Sequence, residues 1–544
     1  MRTAPLLRTF YAALFLTSSF LLAQSSSQSD VYQSQARLKT STRLVVVDVV
    51  ATDGKGDPVP NLNADDFTVL ENGVPQKISN FSFQHSGQVK PAAMPQLPSN
   101  VVTNAPPFES GVLDVILFDS VNGEFSSQAY AKDQLAKFFS TAKLDRPVAL
   151  FALESRVRML HDFTTDAAAL KTAIEKYRQT VQGGNTESFE SRESPFATKG
   201  DYHTNERNIE TTLNQLNALS KVLGGYPGRK NLIWLSESFP LDLYPDSVIP
   251  AGVNISDFRV DSNGRPVRAD PDSFSTMVSE GASKNFAALV KKVAESMMKA
   301  QVAVYPVDAA GVGKNDHLAS QHTANDLAQR TGGRAFHNTN DLAGSMQAGI
   351  NDGGSYYTLS YYPENKKWDG QFRVIQVKVR NGGVTLRHRL GYYAIDPEKA
   401  DKEETSRVAE DFSRALMLDS PAITSVRFQA GVMTPSSQTG NKLLVNFAVD
   451  PHTLQFQRGA DGVQHGDIVC VIWAYGKNRE KPVSSPGGSS KADLKPEVFD
   501  QMMQRYYPCK QELQLKHGEY TLKLGVLDRN SRLMGTAITS VNVQ

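Results

Sequence analysis

The chain has 544 residues, of which 40% are hydrophobic and 21% charged. This length predicts about two to four domains. Its 58 Lys and Arg residues against 57 Asp and Glu residues leave a formal net charge of +1, so no overall field recruits nucleic acid. The basic residues are scattered and form no stripe interleaved with aromatic residues, which argues against a nucleic-acid-binding protein.

The amino terminus has the pattern of a secretory signal peptide. Arg2 and Arg8 flank the start, and the apolar core from Phe10 to Ala23 is too short to span a bilayer with ease. We expect cleavage near Ala23, the alternative being an uncleaved anchor. No later stretch is apolar enough to span a membrane. The pattern therefore predicts a secreted, periplasmic or cell-envelope protein with no membrane span after cleavage of residues 1–23.

A polar lead-in, a strand-rich segment and a linker follow the signal peptide. Residues 24–39 are rich in Ser and Gln and are predicted to be disordered. Residues 40–84 contain short β-branched runs separated by Gly-containing turns, which predicts a small amino-terminal β-sandwich. Residues 85–111 hold five prolines and few hydrophobic residues and are interpreted as a linker.

From residue 112 the chain alternates between apolar runs and segments with helical spacing. Runs such as "VLDVILFDS", "RPVALFAL", "NLIWLSES" and "QVAVYPVDA" are typical of strands buried on both faces. The segments between them have helical periodicity, and Asp166 is a predicted helix cap. This alternation predicts a mostly parallel sheet with helices on both faces, carrying polar inserts at residues 182–204 and 242–272.

The rest of the chain is again rich in strands. The segments between residues 355 and 395 are predicted to extend the central domain, residues 396–409 to form a charged linker, and residues 410–544 to form a second β-sandwich. The two cysteines, Cys470 and Cys509, both lie in this last region. In an exported chain they can form a disulfide, and the alternative is two separate buried thiols.

Several separated blocks resemble a known family in the same order. They are "VVDVVATDGKGDPVPNLNADDFTVLENGVPQKI", "PGRKNLIWLSESFP", "LAQRTGGRAFHNTNDL" and "GSYYTLSYYPENKKWDGQFRVIQVKVR". Over residues 40–395 the chain resembles the von Willebrand factor type A-related family of acidobacteria and neighbouring phyla. The resemblance implies an α/β fold with a Rossmann-like parallel sheet at residues 112–395. The strand patterns described above predict a β-sandwich on each side of it.

The resemblance also implies a divalent-cation site at the carboxyl ends of the strands. The family pattern is Asp-x-Ser-x-Ser after the first strand, a Thr from a loop and an Asp after the fourth strand. Asp119 matches the first acid, but Val121 and Gly123 replace the two serines. Asn122 or Ser120 can offer an oxygen, and Glu237 stands where the second acid is expected. The Thr candidates are Thr186, Thr204 and Thr211.

The partial match leaves two interpretations of Asp119. In the first, Asp119, Asn122 and Glu237 form a degenerate site for Mg²⁺, or for Mn²⁺ or Ca²⁺, with weak affinity. In the second, Asp119 binds no metal and accepts hydrogen bonds from backbone N–H groups of the turn that follows it.

The sequence contains no H-E-x-x-H, G-x-S-x-G or G-x-x-x-x-G-K-[ST] motif. We therefore expect a non-enzymatic, exported protein that binds a protein partner in the manner of an adhesin. One alternative is a secreted hydrolase with Asp119 and Glu237 as acid and base. The other is a structural envelope component without a specific ligand.

Overall fold

The computed structural model of the chain describes thirteen stretches and one single residue. These are residues 44–85, 90–91, 97–122, 125–178, 199–237, 258–260, 266–268, 289–310 (apart from 290, 291 and 294), 318–380, 382–394, 402–436, 439, 442–478 and 481–544. The predicted signal peptide and polar lead-in lie outside the described residues, as does the greater part of both predicted inserts.

Five strands form the central sheet, and four of them are parallel. Their order across the sheet is Val157–Thr164, Val148–Leu153, Leu113–Asp119, Lys230–Ser236 and Val302–Asp308. The first of these is antiparallel to its neighbour. Every residue of the four parallel strands is buried, as their continuous apolar sequence predicts. The chain enters at the middle strand and winds outward in both directions, which is the doubly wound arrangement.

Helices cover both faces of this sheet, as predicted. One face packs against Phe125–Thr141, Ala167–Lys176 and Leu342–Asp352. The other face packs against Lys199–Leu223, Leu318–Thr331 and the helical residues within 289–299. The predicted cap is confirmed, because Asp166 Oδ1 accepts hydrogen bonds from the backbone N–H groups of Ala168 and Ala169 at 2.9 and 3.1 Å. Among the helices within the described ranges, none has the length and apolarity needed to cross a membrane.

The amino-terminal sandwich is built from two distant parts of the chain. The strand order in one sheet is Thr385–His388, Val45–Thr52, Ser355–Tyr361 and Ile78–His85. In the facing sheet it is Gly391–Tyr393, Phe372–Val379, Phe67–Glu71 and Val74–Gln76.

This pairing corrects the predicted boundaries, which confine the sandwich to residues 40–84 and let the central domain run to residue 395. The strands between 355 and 393 belong to the sandwich and do not extend the central sheet. The physical reason is the number of strands. The segment before residue 86 supplies only two strands to each sheet, which is too few to enclose a core.

A tyrosine side chain joins this sandwich to the central unit. Tyr356 is 2% exposed, and its hydroxyl accepts a hydrogen bond from the backbone N–H of Arg229 at 3.1 Å. The adjacent Tyr357 points into the sandwich core and donates to the carbonyl of Val59 at 2.6 Å. The strand is therefore buried on both faces, one against its own sandwich and one against the central unit.

The Pro-rich segment, predicted to be only a linker, also contributes to a sheet. Val101–Thr103 is an edge strand of the carboxyl-terminal sandwich, paired with Phe428–Met433. The next residue, Asn104, is buried and donates to the carbonyls of Ile423 and Val426 at 2.9 and 2.8 Å. The prediction missed this strand because three residues between prolines give no recognisable alternation of polar and apolar side chains.

The carboxyl-terminal sandwich has two facing sheets around one apolar core. One sheet has the order Tyr507–Leu513, Leu443–Val449, Phe428–Met433 and Val101–Thr103. The other has the order Gln457–Arg458, Gln464–Tyr475, Gly518–Asp528 and Met534–Val543, with Val483–Ser484 and Gly488–Leu494 also paired to Gln464–Tyr475. Cys470 and Cys509 lie on facing sheets and are joined by a disulfide through the core.

A helix stands where part of a charged linker is predicted. Lys402–Ala415 is helical, and Phe412 and Leu416 are buried in the cluster that also contains the helix Lys199–Leu223. Lys221 of that helix forms an ion pair with Asp411. The helix Lys199–Leu223 thus lies between the central sheet and the carboxyl-terminal sandwich. The many charges of residues 396–409 concealed the apolar residues that follow them.

We expect the amino-terminal sandwich to lose stability in mild acid because of His388. Its Nε2 accepts a hydrogen bond from the backbone N–H of Val377 at 3.2 Å, so this nitrogen is unprotonated and Nδ1 donates to the carbonyl of Arg389. Burial lowers the pKa of His388 below its ordinary 6.5. Between the folded and unfolded pKa values the unfolded chain binds more protons, so the free energy of unfolding falls as pH drops below about 6.5.

Urea denaturation between pH 7.5 and pH 5 tests this expectation. His388→Gln keeps an acceptor without a titrating group and should make the decline in stability shallower. His517→Gln, at an exposed position, is the matched control and should leave the decline unchanged. An identical decline in His388→Gln and in the parent chain would contradict the assignment.

Candidate functional site

The carboxyl ends of three neighbouring parallel strands meet at one edge of the central sheet. Asp119, Ser236 and Asp308 are the last residues of their strands. All three are buried, with 3%, 2% and 4% of their surface exposed. In doubly wound sheets ligands bind at this edge, and Asp119, the first of the predicted cation ligands, lies there.

Asp119 is the centre of a hydrogen-bond network at this edge. Its Oδ1 accepts from the backbone N–H groups of Val121 and Asn122 at 2.8 and 3.0 Å. Its Oδ2 accepts from Asn122 Nδ2 at 2.9 Å, from Trp234 Nε1 at 3.0 Å and from Ser236 Oγ at 2.9 Å. Two carboxylate oxygens offer about four lone-pair positions, so these five donors use the whole accepting capacity of the side chain.

The electrostatics of Asp119 reflect two opposing effects. Burial raises the pKa of its carboxyl, and the hydrogen bonds from Asn122, Val121 and Ser236 counteract that rise. Four of the five donors are N–H groups, which cannot accept a proton in return. A protonated Asp119 would lose accepting positions for them, so the network is complete only with the ionised carboxylate.

Asn122 extends the network to the helix Lys199–Leu223. Its Nδ2 donates to Thr212 Oγ1 at 2.8 Å, and its backbone carbonyl lies 3.3 Å from Ser236 Oγ, whose one proton also serves the shorter bond to Asp119. Thr212 is fully buried and is the threonine that reaches this edge.

None of the three predicted threonine candidates is seen to accept the hydrogen bond from Asn122 Nδ2. Thr186 and the side chain of Thr204 lie outside the described residues, and Thr211 is one position too early on the helix. Helical spacing could have identified Thr212, because it lies four residues before the buried Leu216 on the apolar face.

On the neighbouring strand, the residue that contacts Asp119 is one position before Glu237, where the family pattern places the second acid. Ser236 reaches Asp119 Oδ2, and Glu237 is the next residue, buried at 6% exposure. Ser120 hydrogen-bonds in another direction, donating to the carbonyl of Leu153 at 2.7 Å and lying 3.1 Å from the hydroxyl of Tyr177. The hydroxyl of Tyr177 donates in turn to Glu154 at 2.8 Å.

These residues do not fit a divalent cation. Mg²⁺ and Ca²⁺ require oxygen ligands that face the ion, but both oxygens of Asp119 are occupied by donors, two of which come from the side-chain nitrogens of Asn122 and Trp234. Val121 has no oxygen in its side chain to offer. Within the described ranges, no three His, Cys, Asp or Glu side chains are grouped so that they can hold a metal. The geometry matches the second interpretation of Asp119, in which it accepts from the turn that follows.

The same network is unfavourable for acid–base catalysis by Asp119. A general acid or base must present an oxygen to the substrate at hydrogen-bond distance. Both oxygens of Asp119 are committed to neighbouring groups, and only 3% of the residue is exposed. Asp119 therefore has no oxygen free to take part in such a reaction.

Several solved structures align with the chain, among them a von Willebrand factor type A protein. Three domains of the type V pilus tip protein Mfa5 from Porphyromonas gingivalis match 86% of this chain and 78% of their own length, at 10% identity and a TM-score of 0.24. A von Willebrand factor type A protein from Catenulispora acidiphila matches 63% and 81%, at 11% identity and a TM-score of 0.21. The PilB minor pilin from Streptococcus sanguinis matches 44% of this chain, which spans 60% of that pilin, at 12% identity and a TM-score of 0.22.

No family model and no curated protein matches the chain. At such low identities and TM-scores, these likenesses carry nothing about function. The fold assignment rests on the sheet order itself, with parallel strands, helices on both faces and additional antiparallel β units.

We expect Asp119→Ala to destabilise the chain by at least about 3 kcal/mol, because it leaves several buried donors without an acceptor. Asp166→Ala removes an exposed helix cap and should cost only about 1 kcal/mol. Urea denaturation of both variants and the parent chain compares the two costs. Equal costs would show that the Asp119 network contributes no more than an ordinary cap.

We further expect no saturable heat when Mg²⁺ or Mn²⁺ is titrated into the chain lacking residues 1–23, up to millimolar metal. The reason is that a cation would have to displace the donors that already satisfy Asp119. Calorimetric titration of the parent chain beside Ser236→Ala measures this. Saturable binding in the parent chain that is weakened in Ser236→Ala would contradict the metal-free interpretation.

Proposed function

We propose that the chain is an exported, non-enzymatic protein of the adhesion type that recognises a protein partner with the carboxyl edge of its central sheet. The observation that carries this proposal is that two long connections and one short connection leave the sheet from that one edge. One follows Tyr177, which lies next to Ser120. A second follows Glu237, directly after the strand Lys230–Ser236. The short one follows Ala310, just after the strand Val302–Asp308, and has seven residues before the helix Leu318–Thr331.

The carboxyl edge can hold such connections in place because the strand ends from which they leave are joined to each other by hydrogen bonds. The network around Asp119 ties together the ends of two strands and the helix Lys199–Leu223 with hydrogen bonds of 2.8 to 3.0 Å. A rigid scaffold that presents variable connections is a common way to build a recognition surface.

The opposite edge of the sheet is occupied. There the amino-terminal sandwich packs against the central unit through Tyr356, whose hydroxyl is bonded to Arg229 just before the strand Lys230–Ser236. The proposal therefore places the partner at the carboxyl edge, which lies roughly 20 Å away along the strands.

Two features support export. The signal-peptide pattern of residues 1–23 directs a chain out of the cytoplasm. The disulfide between Cys470 and Cys509 is of a kind that persists in oxidising compartments. A hydrolase that uses Asp119 and Glu237 is not supported, because Asp119 has no oxygen free to meet a substrate.

Binding of the labelled chain to intact cells of the source organism tests the proposal. The chain lacking residues 1–23 should bind saturably, and treating the cells with protease should abolish the binding, because the partner is a protein. Replacing residues 242–272 by a Gly-Ser segment of equal length should reduce binding at least about tenfold. The matched control replaces residues 435–441 in the carboxyl-terminal sandwich in the same way and should bind as the parent chain does.

Each other outcome has a definite meaning. Unchanged binding after the 242–272 replacement would show that this connection is not needed for recognition of the partner. Binding that survives protease would point to a glycan or lipid. Absence of any binding would favour a structural envelope component without a specific ligand.

A further inference from the structure

A pocket of about 60 Å³ lies between the amino-terminal sandwich and the amino edge of the central sheet. The sandwich contributes Asp48, Arg389 and Tyr392 to its wall, and the central unit contributes Arg229, Gln301 and Val302. Arg229 and Val302 stand at the starts of parallel strands, so the pocket is at the opposite end of the sheet from Asp119.

Arg389 is the distinctive side chain of this pocket. Its Nε atom is buried and has no hydrogen-bond partner within the described residues. Burial disfavours the charged form of this guanidinium and lowers its pKa. A buried cationic group normally has an anion or several acceptors beside it.

Three other arginines show what usually satisfies such a group. Arg158, Arg387 and Arg427 also have a buried Nε without a hydrogen bond. Each of them nevertheless forms an ion pair, with Glu154, Asp352 and Asp450 respectively. Across the part of the chain that the structure describes, Arg389 is the member of this group that has no such carboxylate.

The remaining charged groups of the pocket, Arg229, Arg330, Asp48 and Glu295, already have partners, and Arg330 forms an ion pair with Asp326. Arg229 donates through Nη2 to the carbonyl of Gly332 at 2.7 Å and to the hydroxyl of Tyr305 at 3.2 Å. Asp48 accepts from Thr358 Oγ1 at 2.8 Å and from Gln301 Nε2 at 3.4 Å.

Glu295 lies in the pocket wall and forms an ion pair with Lys299. The guanidinium of Arg389 thus forms no hydrogen-bonded ion pair, although Asp48 acts on it electrostatically. The acids Asp48 and Glu295 in the wall disfavour a ligand with more than one negative charge.

Most of the remaining wall is apolar or aromatic. It is formed by side chains such as Val46, Met298, Val302 and Phe372. A planar guanidinium pairs with a carboxylate through two parallel hydrogen bonds, and apolar walls favour a short hydrocarbon group behind that carboxylate.

We propose that this pocket binds a small organic monocarboxylate, whose carboxylate pairs with Arg389 and whose apolar body lies against the wall shared by the sandwich and the central unit. Such a ligand stabilises the folded chain by mass action, because only the folded chain brings the two walls together. The same chemistry can come from a free carboxylic acid or from the carboxyl terminus of a peptide.

Calorimetry and thermal denaturation of the chain lacking residues 1–23 test the proposal with butyrate and benzoate as probes. Both should bind saturably and raise the melting temperature. The neutral analogue butyramide, and also phosphate and sulfate, should do neither. Ala-Val with a free carboxyl terminus, beside its carboxyl amide, distinguishes a peptide terminus from a free acid as the preferred source.

Variants assign the binding to Arg389. Arg389→Gln should weaken butyrate binding at least about tenfold. Arg427→Gln, which also removes an arginine with an unbonded Nε, is the control and should not change it. Arg389→Lys keeps the charge without the planar fork and should give an intermediate loss, so it also serves if Arg389→Gln fails to fold. Equal binding by the parent chain, Arg389→Gln and Arg389→Lys, or no binding of either carboxylate, would overturn the proposal.

Discussion

The buried ion pair between Arg146 and Asp114 is the constraint on which the assembly of the central unit depends. Both side chains are almost fully buried, at 2% and 0% exposure. Arg146 also donates to the carbonyl of Ile350. Asn231 connects Asp114 to the carbonyl of Gly353 through hydrogen bonds of 2.9 and 3.2 Å. Leaving any one of these charges unpaired costs several kcal/mol, so the group is stable only when all its parts are in place.

This buried group determines where the amino-terminal sandwich can sit. Gly353 lies so close to the side chain of Asn231 that a Cβ at this position would be 2.2 Å from an oxygen. The strand Ser355–Tyr361 starts two residues later, which directs Tyr356 toward Arg229. The two edges of the central sheet are thereby distinct. The amino edge is covered by a domain, and the carboxyl edge carries the long connections.

The parts of the structure that depend on local patterns could be predicted from the sequence. The four parallel strands are continuous apolar runs because both of their faces are covered, and Asp166 caps its helix as its position before an apolar period indicates. The two hydrogen bonds from the turn to Asp119 Oδ1 could also be predicted, because an aspartate at a strand end commonly accepts hydrogen bonds from the backbone N–H groups of nearby residues that follow it.

The parts that depend on distant contacts could not be predicted. Periodicity shows that residues 45–52 form a strand but not that their partner is Ser355–Tyr361, about 300 positions further along. Nor does the sequence pattern show that Val101–Thr103 pairs with Phe428–Met433. At the site, the replacement of family serines by Val121 and Gly123 indicated a loss of ligands. It did not show that Trp234 and Thr212, from two other elements, complete the network.

The split construction of the amino-terminal sandwich has a consequence for synthesis. The strand Ile78–His85 leaves the ribosome 270 residues before Ser355, the first residue of the strand it pairs with (355 − 85 = 270). At about 5–20 residues per second, the early strands wait roughly 14–54 s for their partners. A hairpin forms within microseconds, so for this whole period the unpaired strand edges can join neighbouring chains instead. Until Tyr393 has been synthesised, the first strands therefore lack the partners that cover their edges in the folded chain.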